Sequence, residues 1–261
     1  LAAGAMIYVV IEEMLPGEEA SIFALCDGKS IVALAPSQDH KRIFDNDEGP
    51  NTGGMGAVAP VSDLTSEQLE AFHQSILQPT LQGMIAEGMD YRGFIFFGLM
   101  LTAQGPKLLE YNVRLGDPET QAVLPLMDFD FAQLCRSITD GSLKDFPFHW
   151  KPGFVCAPVA VSGGYPEAYK KGMRISLPQQ MADGSKVFVA GATVAGGSPD
   201  LGGQDRQLVT SGGRVLATAA YGDSFQDAWK AAYTMMEQVD FEGIFYRKDI
   251  GLPGAAESGS L

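Results

Sequence analysis

Glu110-Tyr111-Asn112-Val113-Arg114-Leu115-Gly116-Asp117-Pro118-Glu119 is the stretch on which the reading of this sequence turns. Side chains two apart on a strand share a face. Glu110 and Asn112 therefore present two oxygen donors together, at the end of a predicted hairpin formed by residues 93–102 and 107–112 and turned at Gln104-Gly105. A hard cation such as Mg²⁺ takes one or two such ligands from a protein and completes its shell with phosphate oxygens and water. Arg114 shares the face if the strand persists, and its guanidinium could then hold phosphate charge. Gly116-Asp117-Pro118 turns the chain into a predicted helix from about Glu119 to Leu126, leaving amides free at its start. The alternative is a polar strand end with a capping aspartate.

Three stretches upstream bear on the same chemistry. Gly49-Pro50-Asn51-Thr52-Gly53-Gly54-Met55-Gly56 is glycine-rich, which lets backbone amides approach an anion. It is neither a Walker A loop nor a dinucleotide-binding G-x-G-x-x-G, and by itself reads equally as a flexible loop. Gln38-Asp39-His40-Lys41-Arg42 puts mixed charge on a predicted loop that could close over a nucleotide or simply be solvated. His40 is a possible acid–base group there, although neither His73 nor His149 is near it in sequence and no triad assembles. Residues 9–19, an apolar strand running into Glu12, Glu13, Met14, Leu15, Pro16, Gly17, Glu18 and Glu19, could form an interlobe hinge whose backbone pairs with an adenine edge; acidic turn residues serving solubility are the alternative.

Around these stretches the pattern alternates. Strands are predicted over 7–13, 20–26 and 30–35, with turns at Leu15-Pro16-Gly17 and Asp27-Gly28. Residues 37–57 show almost no periodicity, and about 20 residues without regular structure is long for anything but a functional loop. A helix capped by Thr65 is predicted over 66–87, kinked or divided by Pro79, and another over 129–139. Pro147, Trp150 and Pro152 mark a shift in composition. Beyond it, strands are predicted over 154–161 and 186–194, a hairpin over 207–210 and 214–221 turned at Ser211-Gly212-Gly213, a helix from 225 to about 239 capped by Ser224, and a last short strand over 244–247. The alternation leaves α/β and α+β both open.

The 261 residues allow one large domain or two small ones, and 46% hydrophobic against 19% charged residues excludes a disordered or fibrous chain. With 18 Lys+Arg against 32 Asp+Glu the net charge is −14, which argues against nucleic-acid or anionic-membrane partners but leaves small anionic ligands open. Cys26, Cys135 and Cys156 lie far apart without metal-ligand spacing and read as reduced thiols of a cytoplasmic protein. No apolar run reaches the roughly 18 residues of a membrane span. Leu1 to Met6 lacks the basic region of a signal peptide, and a start at Leu suggests that the sequence is part of a longer protein.

In this order the motifs resemble the phosphoribosylamine–glycine ligases, ATP-grasp enzymes of purine synthesis. The resemblance rests on residues 114–121 (Arg-Leu-Gly-Asp-Pro-Glu-Thr-Gln), with 37–42, 49–57 and 11–13 before them and 162–166, 210–216 and 246–251 after. It implies an α+β fold. Residues 1–145 would form an ATP-grasp large lobe, an antiparallel sheet with flanking helices, and 146–251 a small α+β C-terminal domain, with 252–261 a disordered tail. It implies ligation of glycine to 5-phosphoribosylamine with ATP going to ADP and phosphate. Glu110 and Asn112 match the ligands of Mg²⁺ (or Mn²⁺). Glu12, Glu13, Met14 and Leu15 match the adenine hinge, and Glu19 the ribose contact. Arg114 and Lys41 are candidates for stabilising the transferring phosphoryl group. Asp39, Asn51, Thr52, Gly53, Gly54 and Asp117 are candidates for holding glycine or phosphoribosylamine. The family carries an N-terminal Rossmann-like domain and a small ATP-grasp lobe that this sequence does not show, so the chain alone is expected to bind ATP and turn over poorly. A carboxylase or another amine ligase on the same lobe, or a noncatalytic nucleotide- or partner-binding remnant, are the competing readings.

Overall fold

A computed structural model describes residues 13–61, 64–196 and 207–252. Its centre is one eight-stranded sheet in which every neighbouring pair is antiparallel. The strands are β1 (Glu18–Cys26), β2 (Ile31–Asp39), β5 (Gly56–Ala59), β6 (Gly93–Thr102), β7 (Gly105–Asn112), β8 (Phe154–Val161), β9 (Ser185–Val189) and β12 (Arg214–Gly222). Their order is β7-β6-β1-β2-β5-β8-β12-β9. Two small ribbons stand apart: β3 (Arg42–Phe44) with β4 (Glu48–Asn51), and β10 (Ala192–Ala195) with β11 (Gln207–Thr210). The fold is α+β, as the resemblance implies. The expected division at 145/146 falls just before β8, yet the sheet crosses it, because β5 pairs with β8.

The first half of the sheet is covered on both faces, which explains the unbroken apolar runs of β1 and β6. Ile22, Ala24, Ile95, Phe97 and Leu99 pack on Phe72, Ile76, Leu77 and Leu81 from the helices of residues 66–86. Phe23, Leu25 and Phe96 meet Ala122, Val123, Leu126, Leu134 and Ile138 on the opposite side. Those come from α3 (Glu119–Val123), the 3-10 turn after it, and α4 (Phe131–Asp140). Thr65 caps the first helix in a reciprocal box with Gln68. The division expected at Pro79 takes the form of α1 (Ser66–Phe72), a π-turn (His73–Leu77) and α2 (Gln78–Ala86). The backbone stays helical through both junctions, so Pro79 lies inside one continuous run, and the bond its missing N–H cannot make is absorbed next to the π-turn, where the Gln78 N–H donates to the His73 carbonyl. In the second half α5 (Phe225–Met236), capped by Ser224, packs Ala228, Ala232 and Tyr233 against Cys156, Ala217 and Ala220.

Several expectations are corrected. Residues 37–57 are not irregular: β2 runs on to Asp39, and β3, β4 and β5 follow, their short polar stretches stabilised by partners elsewhere in the fold. Residues 186–194 are two strands broken at Ala190-Gly191. β11 does not form a hairpin with β12; it pairs with β10, while β12 pairs with β8 and β9. Residues 244–247 are not a strand, only a bridge from Phe245 to Val161. The strand expected over 7–13 falls, except for Glu13, outside the described residues, as do 253–261 of the expected tail.

His40 is structural rather than an acid–base group. It is buried, and its Nε2 accepts the N–H of Gly251 at 3.0 Å. Burial, helped by the Arg247 cation, pushes its pKa down from 6.5 to about 4. The unfolded chain thus takes up a proton near pH 6.5 that the folded chain refuses until about pH 4. Stability is lost as pH falls through that window. Urea unfolding of the wild type and His40→Gln at pH 7.5, 5.5 and 4.5 is expected to show a pH-dependent loss attributable to His40 on the order of 3 kcal/mol, largely absent in the variant. Equal slopes for the two proteins would contradict this.

Candidate functional site

Pairing puts Ser21 beside Gly98 and Gly98 beside Glu110, so these three form one row across β1, β6 and β7. The row lies on the face carrying Phe23 and Phe96, one step beyond the apolar packing. Ser and Gly are too small to fill it. A Cβ on Gly98 would lie 3.1 Å from Cγ of Glu110, so glycine here leaves the glutamate its place above the sheet. The result is a cavity of about 210 Å³ lined by Glu19, Ala20, Ser21, Lys41, Gly98, Leu99, Leu109 and Glu110.

Asn112 stands beside Glu110 as the alternation requires, its Nδ2 donating to Glu110 Oε1 at 3.0 Å. That bond leaves Asn112 Oδ1 and the second carboxylate oxygen of Glu110 for a cation. Among the described residues no cluster of three or more His, Cys, Asp or Glu could hold a metal by itself. Two hard oxygen donors, one on the cavity wall and one bonded beside it, fit Mg²⁺ that shares its shell with phosphate and water. Lys41 reaches in from the other side, its Nζ 2.6 Å from Glu19 Oε2. Partial burial weakens its charge, but the Glu19 hydrogen bond and the nearby Asp39 and Glu110 carboxylates hold its pKa above the usual lysine value. Arg114 is not on the strand face, because β7 ends at Asn112. It is exposed, with Nη1 on the Leu115 carbonyl at 3.2 Å.

Behind Lys41 lies a second group of charges. Asp39 Oδ1 is buried with no hydrogen-bond partner among the described residues. Burial, reinforced by the negative charge of Glu119, raises the Asp39 carboxyl well above the usual range, and burial raises Glu119 too. Glu119 Oε1 accepts from the Ser21 hydroxyl at 3.5 Å, which links this group to the cavity wall. Asp117 is held by Gln121 Nε2 at 2.8 Å and by Arg214, whose Nη2 lies 3.3 Å from its Oδ2. Ser21, Glu119 and Arg214 were missed in the sequence reading. Glu119 and Arg214 lie within the motifs of the resemblance, but nothing in the pattern shows that β12 brings Arg214 beside residues 53 and 117.

The glycine-rich stretch does something other than offer free amides. The N–H of Thr52 donates to the Lys41 carbonyl (2.8 Å), that of Gly53 to Tyr165 Oη (2.9 Å), that of Gly54 to Thr52 Oγ1 (3.0 Å) and that of Met55 to the His40 carbonyl (2.8 Å). Asn51 is exposed at the end of β4. Glu13 and Met14 are exposed and Leu15 half-buried on the approach to β1, and Glu12 lies outside the described residues. The structure thus gathers Glu19, Lys41 and Glu110 at one cavity, with Asn112 bonded to Glu110 at its margin, and Asp39, Gly53, Gly54 and Asp117 beside it. Glu13 to Leu15 do not line that cavity.

This arrangement has relatives. Residues 2–120 match the model of the phosphoribosylglycinamide synthetase ATP-grasp (A) domain, and residues 155–253 match that of the phosphoribosylglycinamide synthetase C domain. The chain belongs to the phosphoribosylglycinamide synthetase family. A phosphoribosylamine–glycine ligase of Clostridium acetobutylicum is 51% identical over 243 residues, covering 93% of this chain and 56% of that protein. The crystal structure of a phosphoribosylamine–glycine ligase from Thermotoga maritima superposes with a TM-score of 0.80 at 39% identity, covering 92% of this chain and 57% of that one. The chain thus spans a little over half the length of these synthetases. The biotin carboxylase domain of a Hydrogenobacter thermophilus 2-oxoglutarate carboxylase shares the fold at 15% identity, with a TM-score of 0.58 over 87% of this chain and 46% of that one.

Gly54 tests the packing beneath the site. Its φ is +114°, and a Cβ there would fall 2.4 Å from Pro118 Cδ and 2.7 Å from Asp39 Oδ1. Gly54→Ala is expected to destabilise the protein by about 2 kcal/mol or more in denaturant unfolding. A midpoint equal to wild type would contradict the placement of Asp39 and Pro118.

Proposed function

We propose that this chain supplies the catalytic cleft for ATP-dependent ligation of glycine to 5-phosphoribosylamine, giving glycinamide ribonucleotide, ADP and phosphate. The observation that carries the reading is Glu110 on the wall of a cavity that Lys41 also lines, with Asn112 hydrogen-bonded beside the glutamate. A carboxylate resists attack by an amine, so a glycine carboxylate oxygen first attacks the γ-phosphorus of ATP, and the bond to the β-phosphate oxygen breaks with loss of ADP. The phosphoribosylamine nitrogen then attacks the carbonyl carbon of the glycyl phosphate, phosphate departs, and the nitrogen gives up a proton. Nearly all the catalysis in such a sequence is positioning and charge stabilisation.

On this reading Glu110 and Asn112 hold Mg²⁺ (or Mn²⁺), which when bound neutralises phosphate charge. Lys41 exchanges its partner Glu19 for the transferring phosphoryl group, freeing Glu19 for the ribose, and Arg114 adds positive charge from beyond the end of β7. Residues 12–15 receive the adenine. Asp39, Asn51 to Gly54 and Asp117 orient glycine or phosphoribosylamine. Residues 1–145 form the nucleotide-binding lobe and 146–251 the C-terminal domain. Among the described residues no helix is long and apolar enough to cross a membrane. The three cysteines are free, which suits a reducing cytoplasm.

The test is glycine- and phosphoribosylamine-dependent ADP release by a protein containing this chain. Glu110→Ala is expected to lower kcat by about 100-fold or more, in the range typical of lost transition-state charge stabilisation, with the unfolding midpoint unchanged because Glu110 is exposed. With phosphoribosylamine withheld, hydroxylamine is expected to trap glycine hydroxamate from the glycyl phosphate. Full activity in the variant would refute the assigned role of Glu110, and failure to trap a hydroxamate while ligation proceeds would refute the intermediate.

A further inference from the structure

Residues 246–251 contribute to the family resemblance but have no part in the cleft described above. They carry Arg247, the bulkiest fully buried side chain among the described residues, at 1% exposure. Its guanidinium places Nε and Nη2 each 2.7 Å from a different carboxylate oxygen of Asp249. Its Nη1 donates to Asp47 Oδ1 at 2.6 Å and to the Arg42 carbonyl at 3.1 Å. The surrounding bonds run between the same two segments. The N–H of Asn46 donates to Asp249 Oδ2 (2.7 Å), that of Lys248 to Asp45 Oδ1 (2.8 Å) and that of Gly251 to His40 Nε2 (3.0 Å). The end of the C-terminal domain is therefore strapped to the β3–β4 hairpin of the other half.

That hairpin ends in the cleft. At its base the Lys41 carbonyl accepts both the N–H and the hydroxyl of Thr52, each at 2.8 Å. One strand follows from Lys41, and the other leads into Gly53 and Gly54. At the tip Asn46 and Asp47 have φ of +60° and +53°, a left-handed turn for which Asn and Asp are the most tolerant non-glycine residues. The strap's bonds to Asp45, Asn46 and Asp47 land on this tip, and those to His40 and the Arg42 carbonyl land near the base. Stability alone does not call for such a cluster, since buried ion pairs are often replaceable by apolar residues at no loss. A rigid fork that meets two carboxylates and a carbonyl at once fixes geometry, and lysine cannot reproduce it.

We propose that Arg247 is a positioning residue for the ligation: by gripping Asp47 and the Arg42 carbonyl it fixes the 42–51 hairpin and so sets Lys41 and Thr52 to Gly54 in the cleft. The proposal rests on the cleft reading given above, and two measurements separate the two ideas. In amide hydrogen exchange on the chain itself, Arg247→Met speeds exchange over residues 42–54 at least tenfold and leaves β8, β12 and α5 as in wild type. In steady-state kinetics of a ligase containing the chain, the variant loses at least tenfold in kcat, while KM for ATP stays within twofold. Asp47→Asn, whose carboxylate is 65% exposed and whose loss leaves the core packed, shifts both readouts in the same direction by less. Unchanged exchange over 42–54, or kcat within twofold of wild type while only the melting temperature drops, overturns the proposal. Absence of ligation by the wild type overturns the reading of the cleft and with it the catalytic half of the proposal; exchange still decides whether Arg247 holds the hairpin.

Discussion

The row Ser21–Gly98–Glu110 is the constraint on which the site depends. Antiparallel pairing puts the three on one face, and the first two are too small to fill the space above the sheet. Further along the same face Phe23, Leu25 and Phe96 are large and buried beneath α3 and α4. One face of one sheet therefore changes from core to cavity within a few residues. The change is made by side-chain size together with a bulge in the β6–β7 ladder, where Gly98 pairs with Glu110 but Leu99 with Leu108, so the cavity opens where the pairing is locally irregular while the strands themselves run on. Functional groups on strands are held more tightly than groups on loops, which suits chemistry that depends on positioning.

An acidic chain with a net charge of −14 must place its few cations with care if it is to hold a triphosphate. Lys41 and Arg214 stand among Glu19, Asp39, Glu110, Asp117 and Glu119, each paired with a carboxylate. Carboxylates keep Lys41 charged despite partial burial; burial, reinforced by Glu119, raises the Asp39 carboxyl, and burial, with the Asp117 charge beside it, raises Glu119. On the proposed reading these pairs are exchangeable: an incoming phosphate takes over a cation from its carboxylate, and no bare cation has to wait in a half-buried place.

Much of this was legible in the sequence where the cause is local. β6 and β8 were read end to end because each is an unbroken apolar run bounded by turn residues. The caps Thr65 and Ser224 were read because a capping hydroxyl acts within three residues. The pairing of Glu110 with Asn112 follows from strand alternation alone. What was not legible depends on partners distant in the chain. Gly56 to Ala59 is a strand because β8, about a hundred residues later, pairs with it. The hairpin expected at Ser211-Gly212-Gly213 gave way because β10 pairs with β11 and frees β12 for the main sheet. His40 suggested chemistry and proved to accept a backbone bond 211 residues away. The reach of Arg114 was misjudged because the strand stops at Asn112, and Arg214 became part of the site only through the sheet order.

The central claim is that Glu110 and Asn112 together hold a divalent cation against a nucleotide's phosphates. The most direct measurement is the anomalous diffraction of Mn²⁺ in crystals of a protein containing this chain, grown with a nonhydrolysable ATP analogue. The account predicts a manganese peak within coordination distance of Glu110 and Asn112 side-chain oxygens, bridged to the phosphates. A bound analogue whose manganese lies elsewhere, with both side chains turned away from it, would contradict the account.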